Sequence, residues 1–142
     1  MYAYQGDYRG QSLSMLAESF EYYWAPQGYW CVDGRFSPIE PAFREMVGDT
    51  IPGQWGFTML TKLEQGNYIP PHNDKPLAEG VTRYHLVLQS NEHSWCMHDN
   101  QWQQMAAGGV YTMNPQYVHA AINWGATPRV HLVVDTVGTH AS

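Results

Sequence analysis

His72-Asn73-Asp74 is the first place where the sequence offers chemistry. In an extended strand, residues two apart point to the same face. The His72 imidazole and the Asp74 carboxylate can therefore share one metal ion. With 7 histidines and 13 acidic residues in 142, one such pair is expected by chance about as often as not, so the context has to carry the argument. His119 follows 47 residues later in YVHAAIN, a second apolar, strand-like run. Two histidines and one carboxylate on one face of an octahedron leave three positions open, the arrangement of non-haem iron(II) oxygenases.

Arg129 opens the run RVHLVVDTV, ten residues after His119. That run reads as an interior strand, and an unpaired charge buried there costs several kcal/mol. The partner is either a structural acid such as Asp135 or a dicarboxylate ligand such as 2-oxoglutarate, which takes bidentate charge-assisted hydrogen bonds. Arg83 and His85 form another pair two residues apart, in RYHLVL. On the metal-facing side, His85 would hydrogen-bond a coordinated carboxylate, and Arg83 would hold 2-oxoglutarate or an anionic substrate. The competing reading is a core histidine beside a surface arginine. His131 faces the same way as Arg129 and reads as a supporting group rather than a ligand. His93, His98 and His140 lie near turns or the terminus and read as solvated. Trp95, Trp102 and Trp124 read as core, with Trp124 the one expected near a pocket mouth.

The elements that must position these groups are mainly β. After Pro52-Gly53, strand-like runs cover 55–64, 68–74, 83–90, 94–98, 109–113, 117–123 and 129–137, with turn-forming residues between most of them. Many short strands at this spacing indicate a sandwich or barrel. Before Pro52 the pattern is helical: Leu13, Leu16, Phe20 and Tyr23 form one apolar stripe, and Ile39, Phe43, Met46 and Val47 another. YWCVDGRF, between them, reads as a hairpin around Asp33-Gly34. The organisation expected is a single domain over 1–142, with a helical N-terminal cover (1–53) on a β core (54–138).

Composition narrows the partners. The chain is 44% apolar and only 14% charged, which argues against disorder. Net charge is −6 with no Lys/Arg cluster, which argues against nucleic acid. No stretch approaches 18 apolar residues, and the first twenty lack a signal-peptide pattern. Two cysteines form no CxxC pair. The expectation is a cytoplasmic protein with free thiols, acting on a small molecule or a peptide.

The segments GNYIPPHND, RYHLVL and HAAINWGATPRVHLVVD resemble the aspartyl/asparaginyl β-hydroxylase family of the iron(II) and 2-oxoglutarate-dependent oxygenases. The resemblance spans residues 58–137. It implies a double-stranded β-helix, the jelly roll shared with cupins, on which the one or two N-terminal helices read from the apolar stripes would pack. It implies that His72 and His119 hold Fe(II), and that Arg129 holds the distal carboxylate of 2-oxoglutarate with help from Thr61, eleven residues before His72. Some animal relatives lack the carboxylate after the first histidine; here Asp74 is present, and an ordinary three-residue triad is the simpler reading. Arg83 and His85 match a pair that in relatives contacts substrate and the metal-proximal end of 2-oxoglutarate. The activity implied is hydroxylation of an amino acid, an amino-acid side chain or a similar small acid. Peptide-hydroxylating relatives carry a further arginine where this chain has Val81, which favours a small acid over a peptide.

One rival shares the fold. GGVYTMNPQYVHAAIN is also similar to the second motif of cupins, with the Pro-to-His spacing one residue short. A cupin-like metal- or small-molecule-binding protein without oxygenase turnover would need no Arg129, and cupin sites usually pair HxH with a glutamate where this chain has His-Asn-Asp.

Overall fold

The computed structural model describes residues 3–5, 29–32 and 51–138. Ten strands lie within them: β1 (Ala3–Gln5), β2 (Tyr29–Val32), β3 (Gln54–Leu63), β4 (Tyr68–His72), β5 (Val81–Gln89), β6 (Ser94–His98), β7 (Gln101–Gln103), β8 (Gly109–Thr112), β9 (His119–Asn123) and β10 (Arg129–Val137). Six make one sheet in the order β1-β8-β5-β10-β3-β2, and four make a second in the order β4-β9-β6-β7. The chain passes back and forth between the two sheets, and the pairings are antiparallel, as in a jelly roll.

The seven strands expected from sequence are present with small shifts at their ends, and β7 is an addition. Its sequence, QWQ, has no apolar alternation. It exists because Asp99 and Asn100 both adopt positive φ (52° and 63°), which folds the chain back on β6 in a two-residue hairpin closed by His98 and Gln101. The expected helical stripes at 13–23 and 38–47 lie outside the described residues. Two described pieces of the N-terminal segment are strands: β1 extends the large sheet beyond β8, and β2, in the segment expected as a hairpin, borders β3. Asp33-Gly34 also lie outside the described residues, so the strand of the expected hairpin is seen pairing with β3. Among the described residues no helix is long and apolar enough to cross a membrane.

β10 is the organising strand. It lies between β5 and β3, and eight of its nine residues are buried. That matches its near-continuous apolar sequence. Val130, Leu132 and Val134 project to one face, while Arg129, His131 and Val133 project to the other and line a cavity between the sheets.

In the smaller sheet, parity is set by prolines. Ile69 pairs with Ala121 and His72 with His119, so β4 uses three steps where β9 uses two. Pro70 and Pro71 have no N–H to give the ladder, and the bulge forms there. Without it, His72 would fall on the face opposite Ile69. With it, both line the cavity.

The link from β9 to β10 is held by Asn123, whose residue exposure is zero. Its Nδ2 donates to the carbonyls of Leu63 (2.9 Å) and Thr127 (3.0 Å), and its Oδ1 accepts from Asn91 Nδ2 (3.1 Å) and Gly125 N (3.0 Å). A Cβ on Gly125 would run into the Asn91 side chain.

Each buried group left without a partner costs about 1–3 kcal/mol, so Asn123→Ala is expected to lose at least that much stability. Chemical denaturation should show a lower midpoint with an unchanged slope. An Asn123→Ala protein as stable as the unsubstituted chain would mean that the loop is held by other contacts.

Candidate functional site

The cavity between the sheets encloses roughly 740 Å³, open mouth included. Thr61, His72, Asp74, Arg83, His85, His119 and Arg129, the seven residues singled out from sequence, all line it.

At the mouth, one ligand atom each from His72, Asp74 and His119 falls within 4.8 Å of the others. Asp74 Oδ2 is 3.3 Å from His119 Nε2 and 3.8 Å from His72 Nε2. Three elements produce this. The β4–β9 register puts the two imidazoles side by side, with ring centroids 4.2 Å apart. β4 ends at His72, so Asp74 is not on the strand as expected. Its backbone N–H is instead tied to the carbonyl of Pro115 at 2.8 Å, which returns the carboxylate to the histidines.

The tautomers are also set. His72 Nδ1 lies 2.8 Å from the Pro70 carbonyl and His119 Nδ1 2.8 Å from the Tyr117 carbonyl. A carbonyl only accepts, so each Nδ1 carries a proton, which in the neutral imidazole leaves the Nε2 lone pair facing Asp74. Two aimed lone pairs and a carboxylate oxygen are a fitting donor set for a divalent metal.

Deeper in, Arg129 is 4% exposed. Its Nη2 donates to Thr61 Oγ1 at 3.3 Å, and its Nη1 approaches Cys96 Sγ at 3.8 Å. Nε has no partner, and among the described residues no carboxylate pairs with this guanidinium. Asp135, the structural partner considered from sequence, pairs with Arg83 instead: Nε to Oδ1 at 2.7 Å and Nη2 to Oδ2 at 2.9 Å. Arg83 therefore reaches the cavity with its charge already balanced.

His85 and His131 face each other across β5 and β10, with Nδ1 atoms 3.2 Å apart. The Nε2 of each is buried without a partner. Burial, reinforced by the positive charge of Arg129, holds both neutral: the His85 pKa falls to about 3 and that of His131 well below its usual range.

Sequence reasoning missed several groups. His98 is not solvated at a turn; it continues the His72–His119 row on β6, lines the cavity and lies 3.2 Å from the Asn114 carbonyl through Nε2. Its period-two relation to Cys96, which also lines the cavity, was the available signal. The tryptophans are not core. Trp95, Trp102 and Trp124 are 39, 52 and 63% exposed, because the inner face of the small sheet is taken by the site residues and Asn123 fills the buried position beside Trp124. Trp124 does not line the cavity.

The two neutral histidines make stability pH-dependent. Above about pH 6.5 neither the folded nor the unfolded chain protonates them. Below it the unfolded chain binds protons and the folded chain does not, so stability falls with pH until the depressed folded values are reached. At roughly 1.4 kcal/mol per pH unit, the loss between pH 7 and 5 is about 2 kcal/mol for His85, and His131 adds to it in the same direction. Urea unfolding at the two pH values checks this, with His131→Gln expected to flatten the dependence. An unflattened slope in that variant would assign the effect elsewhere.

L-proline cis-4-hydroxylase of Rhizobium meliloti (strain 1021) is 30% identical over 84 residues, covering 58% of this chain and 30% of that enzyme. This chain thus matches under a third of the length of that curated relative. Among solved structures, the viral collagen prolyl hydroxylase of Paramecium Bursaria Chlorella virus-1, a 2OG complex, superposes with a TM-score of 0.63 at 10% identity over 97% of both chains. A cupin domain of an XRE-family transcriptional regulator from Enterobacter cloacae superposes with a TM-score of 0.52 at 12% identity, over 80% of this chain and all of that one. At such identities these two likenesses establish a cupin-type jelly roll and nothing more. Residues 41–138 match the family described as Aspartyl/Asparaginyl beta-hydroxylase, over more than two thirds of the sequence, and the chain belongs to that family of hydroxylases.

Proposed function

We propose that the protein is an Fe(II)- and 2-oxoglutarate-dependent hydroxylase acting on an amino acid, an amino-acid side chain or a similar small acid. The observation that carries this reading is the buried, carboxylate-free guanidinium of Arg129 in the same cavity as the His72–Asp74–His119 cluster. A metal-binding cupin has no use for such a charge. A dicarboxylate that chelates the metal through one end and meets Arg129 with the other uses both features.

In this reading His72, Asp74 and His119 hold iron(II) on one face. With 2-oxoglutarate and dioxygen, the iron supplies the chemistry that puts one oxygen atom into a substrate C–H bond and the other into succinate, with release of carbon dioxide. The protein's part is geometry and exclusion of water. The Nδ1–H bonds of His72 and His119 fix which nitrogen faces the metal. Arg129 and Thr61 set the depth of the distal carboxylate. The wall made by Arg83 and Asp135 is polar but charge-balanced, so Arg83 meets the substrate as a hydrogen-bond donor held in one orientation by Asp135.

Purified protein should take up one iron(II), or manganese(II) as an unreactive substitute, per chain. His72→Ala and His119→Ala should each abolish uptake while leaving the circular dichroism spectrum intact. Full metal stoichiometry in both variants would move the metal elsewhere. Arg129→Ala should weaken 2-oxoglutarate binding by about 2–5 kcal/mol, the cost of removing one partner of a buried charge pair, with metal affinity little changed. Calorimetry on the manganese-loaded protein measures it. A panel of free amino acids and short peptides, scored for succinate release and a mass gain of one oxygen, tests the reaction itself. Metal binding without succinate release from any member would favour the cupin-like binder.

A further inference from the structure

Three buried polar atoms in the cavity wall have no partner: Arg129 Nε, His131 Nε2 and His85 Nε2. Buried groups of this kind are rarely left unsatisfied, and each calls for a partner. Arg129 is accounted for by the carboxylate of the proposed cosubstrate. The two histidines are not, and their mutual contact restricts what they can do.

The Nδ1 atoms are 3.2 Å apart, and both rings are neutral. Only one proton can sit between them. A neutral imidazole carries one N–H, so the ring that donates through Nδ1 has a bare Nε2, and the ring that accepts through Nδ1 carries its proton on Nε2. The pair therefore offers the cavity one donor and one acceptor, never two donors.

Position decides which is which. His131 is two residues from Arg129 on β10, on the same face, and is paired in register with Thr61 on β3. Thr61 in turn accepts a hydrogen bond from Arg129 Nη2. Guanidinium, hydroxyl and imidazole thus converge on one patch of wall. A carboxylate offers about four lone-pair sites, enough for the guanidinium and one further donor. An anion held there by Arg129 favours the proton on the neighbouring His131 Nε2.

We infer that His131 is a third anchor of the cosubstrate's distal carboxylate, donating through Nε2–H, and that His85 is the positioning residue that fixes this tautomer by donating its Nδ1–H to His131 Nδ1. The inference rests on the 2-oxoglutarate reading above and adds a specificity-determining residue to it. One consequence differs from the expectation from sequence. His85 Nε2 is then a bare acceptor, unable to donate to a metal-bound carboxylate and suited to receive an N–H or O–H from a ligand.

The test uses the full chain loaded with zinc(II), which is diamagnetic and does not turn over. Two-bond proton–nitrogen correlation spectra of the imidazoles, recorded with saturating 2-oxoglutarate, should show the proton of His131 on Nε2 and that of His85 on Nδ1. Calorimetric titration with 2-oxoglutarate should show His131→Met weakened about ten- to hundredfold, the usual worth of a hydrogen bond to a charged group. His131→Gln, whose amide can place an N–H near the same point, should recover most of that loss. The reverse tautomers in the unsubstituted protein overturn the inference even if His131→Met fails to fold. Equal affinity in His131→Met and the unsubstituted protein overturns it while leaving the Arg129 reading intact. Absence of 2-oxoglutarate binding to the unsubstituted protein overturns both.

Discussion

A buried guanidinium with no carboxylate beside it among the described residues is the constraint around which this fold is arranged. Moving an ion from water into the interior costs several kcal/mol even after relaxation, and Thr61 and Cys96 repay only part of that. The residue opens the central strand, which runs between β5 and β3, and pairs there with Leu63 of β3. The cavity is the space that this charge faces. Its other wall, the small sheet, carries His72 and His119 of the metal-competent cluster, so the two halves of the site come from opposite sheets.

That separation depends on a local irregularity in a regular sheet. Strand alternation alone would send Ile69 inward and His72 outward. The Pro70-Pro71 bulge shifts parity by one, and the same Pro70 then accepts the Nδ1–H bond that orients the His72 ring. One dipeptide thus sets both the face and the tautomer of a ligand residue. Asp74 needs no strand at all, because the Pro115 carbonyl holds its backbone.

These details explain where the sequence was readable. His72, Asp74, His119 and Arg129 were legible because metal-binding and anion-binding residue types stand out in an apolar, charge-poor sequence, and all four line one cavity. The strands from β3 onward were legible because their apolar runs are bounded by turn formers. β7 was not, because it is polar and is made by a positive-φ turn rather than by burial. The tryptophans misled because size suggests a core, whereas the parity of β6 turns Trp95 outward. The exchange of partners between the two arginines was also hidden. Asp135 is close to Arg129 in sequence, but the β10–β5 register places it directly opposite Arg83.

That register has a chemical consequence beyond structure. Two arginines face one cavity, and only one of them keeps its charge unbalanced. Arg83 gives two of its donor nitrogens to Asp135, so the pair exerts little net field on an anion approaching from the mouth. Arg129, 4% exposed, has no such carboxylate among the described residues, so its charge is left to attract an anion. On the proposed reading, an acid entering the cavity would be drawn to Arg129 rather than to Arg83, and the cosubstrate would take that anchor first. A ligand entering after it would meet, at the Arg83–Asp135 pair, a wall that is polar and nearly neutral. Selectivity at that wall must then come from the fit of hydrogen bonds, because Asp135 has already removed the attraction that would have held any small anion.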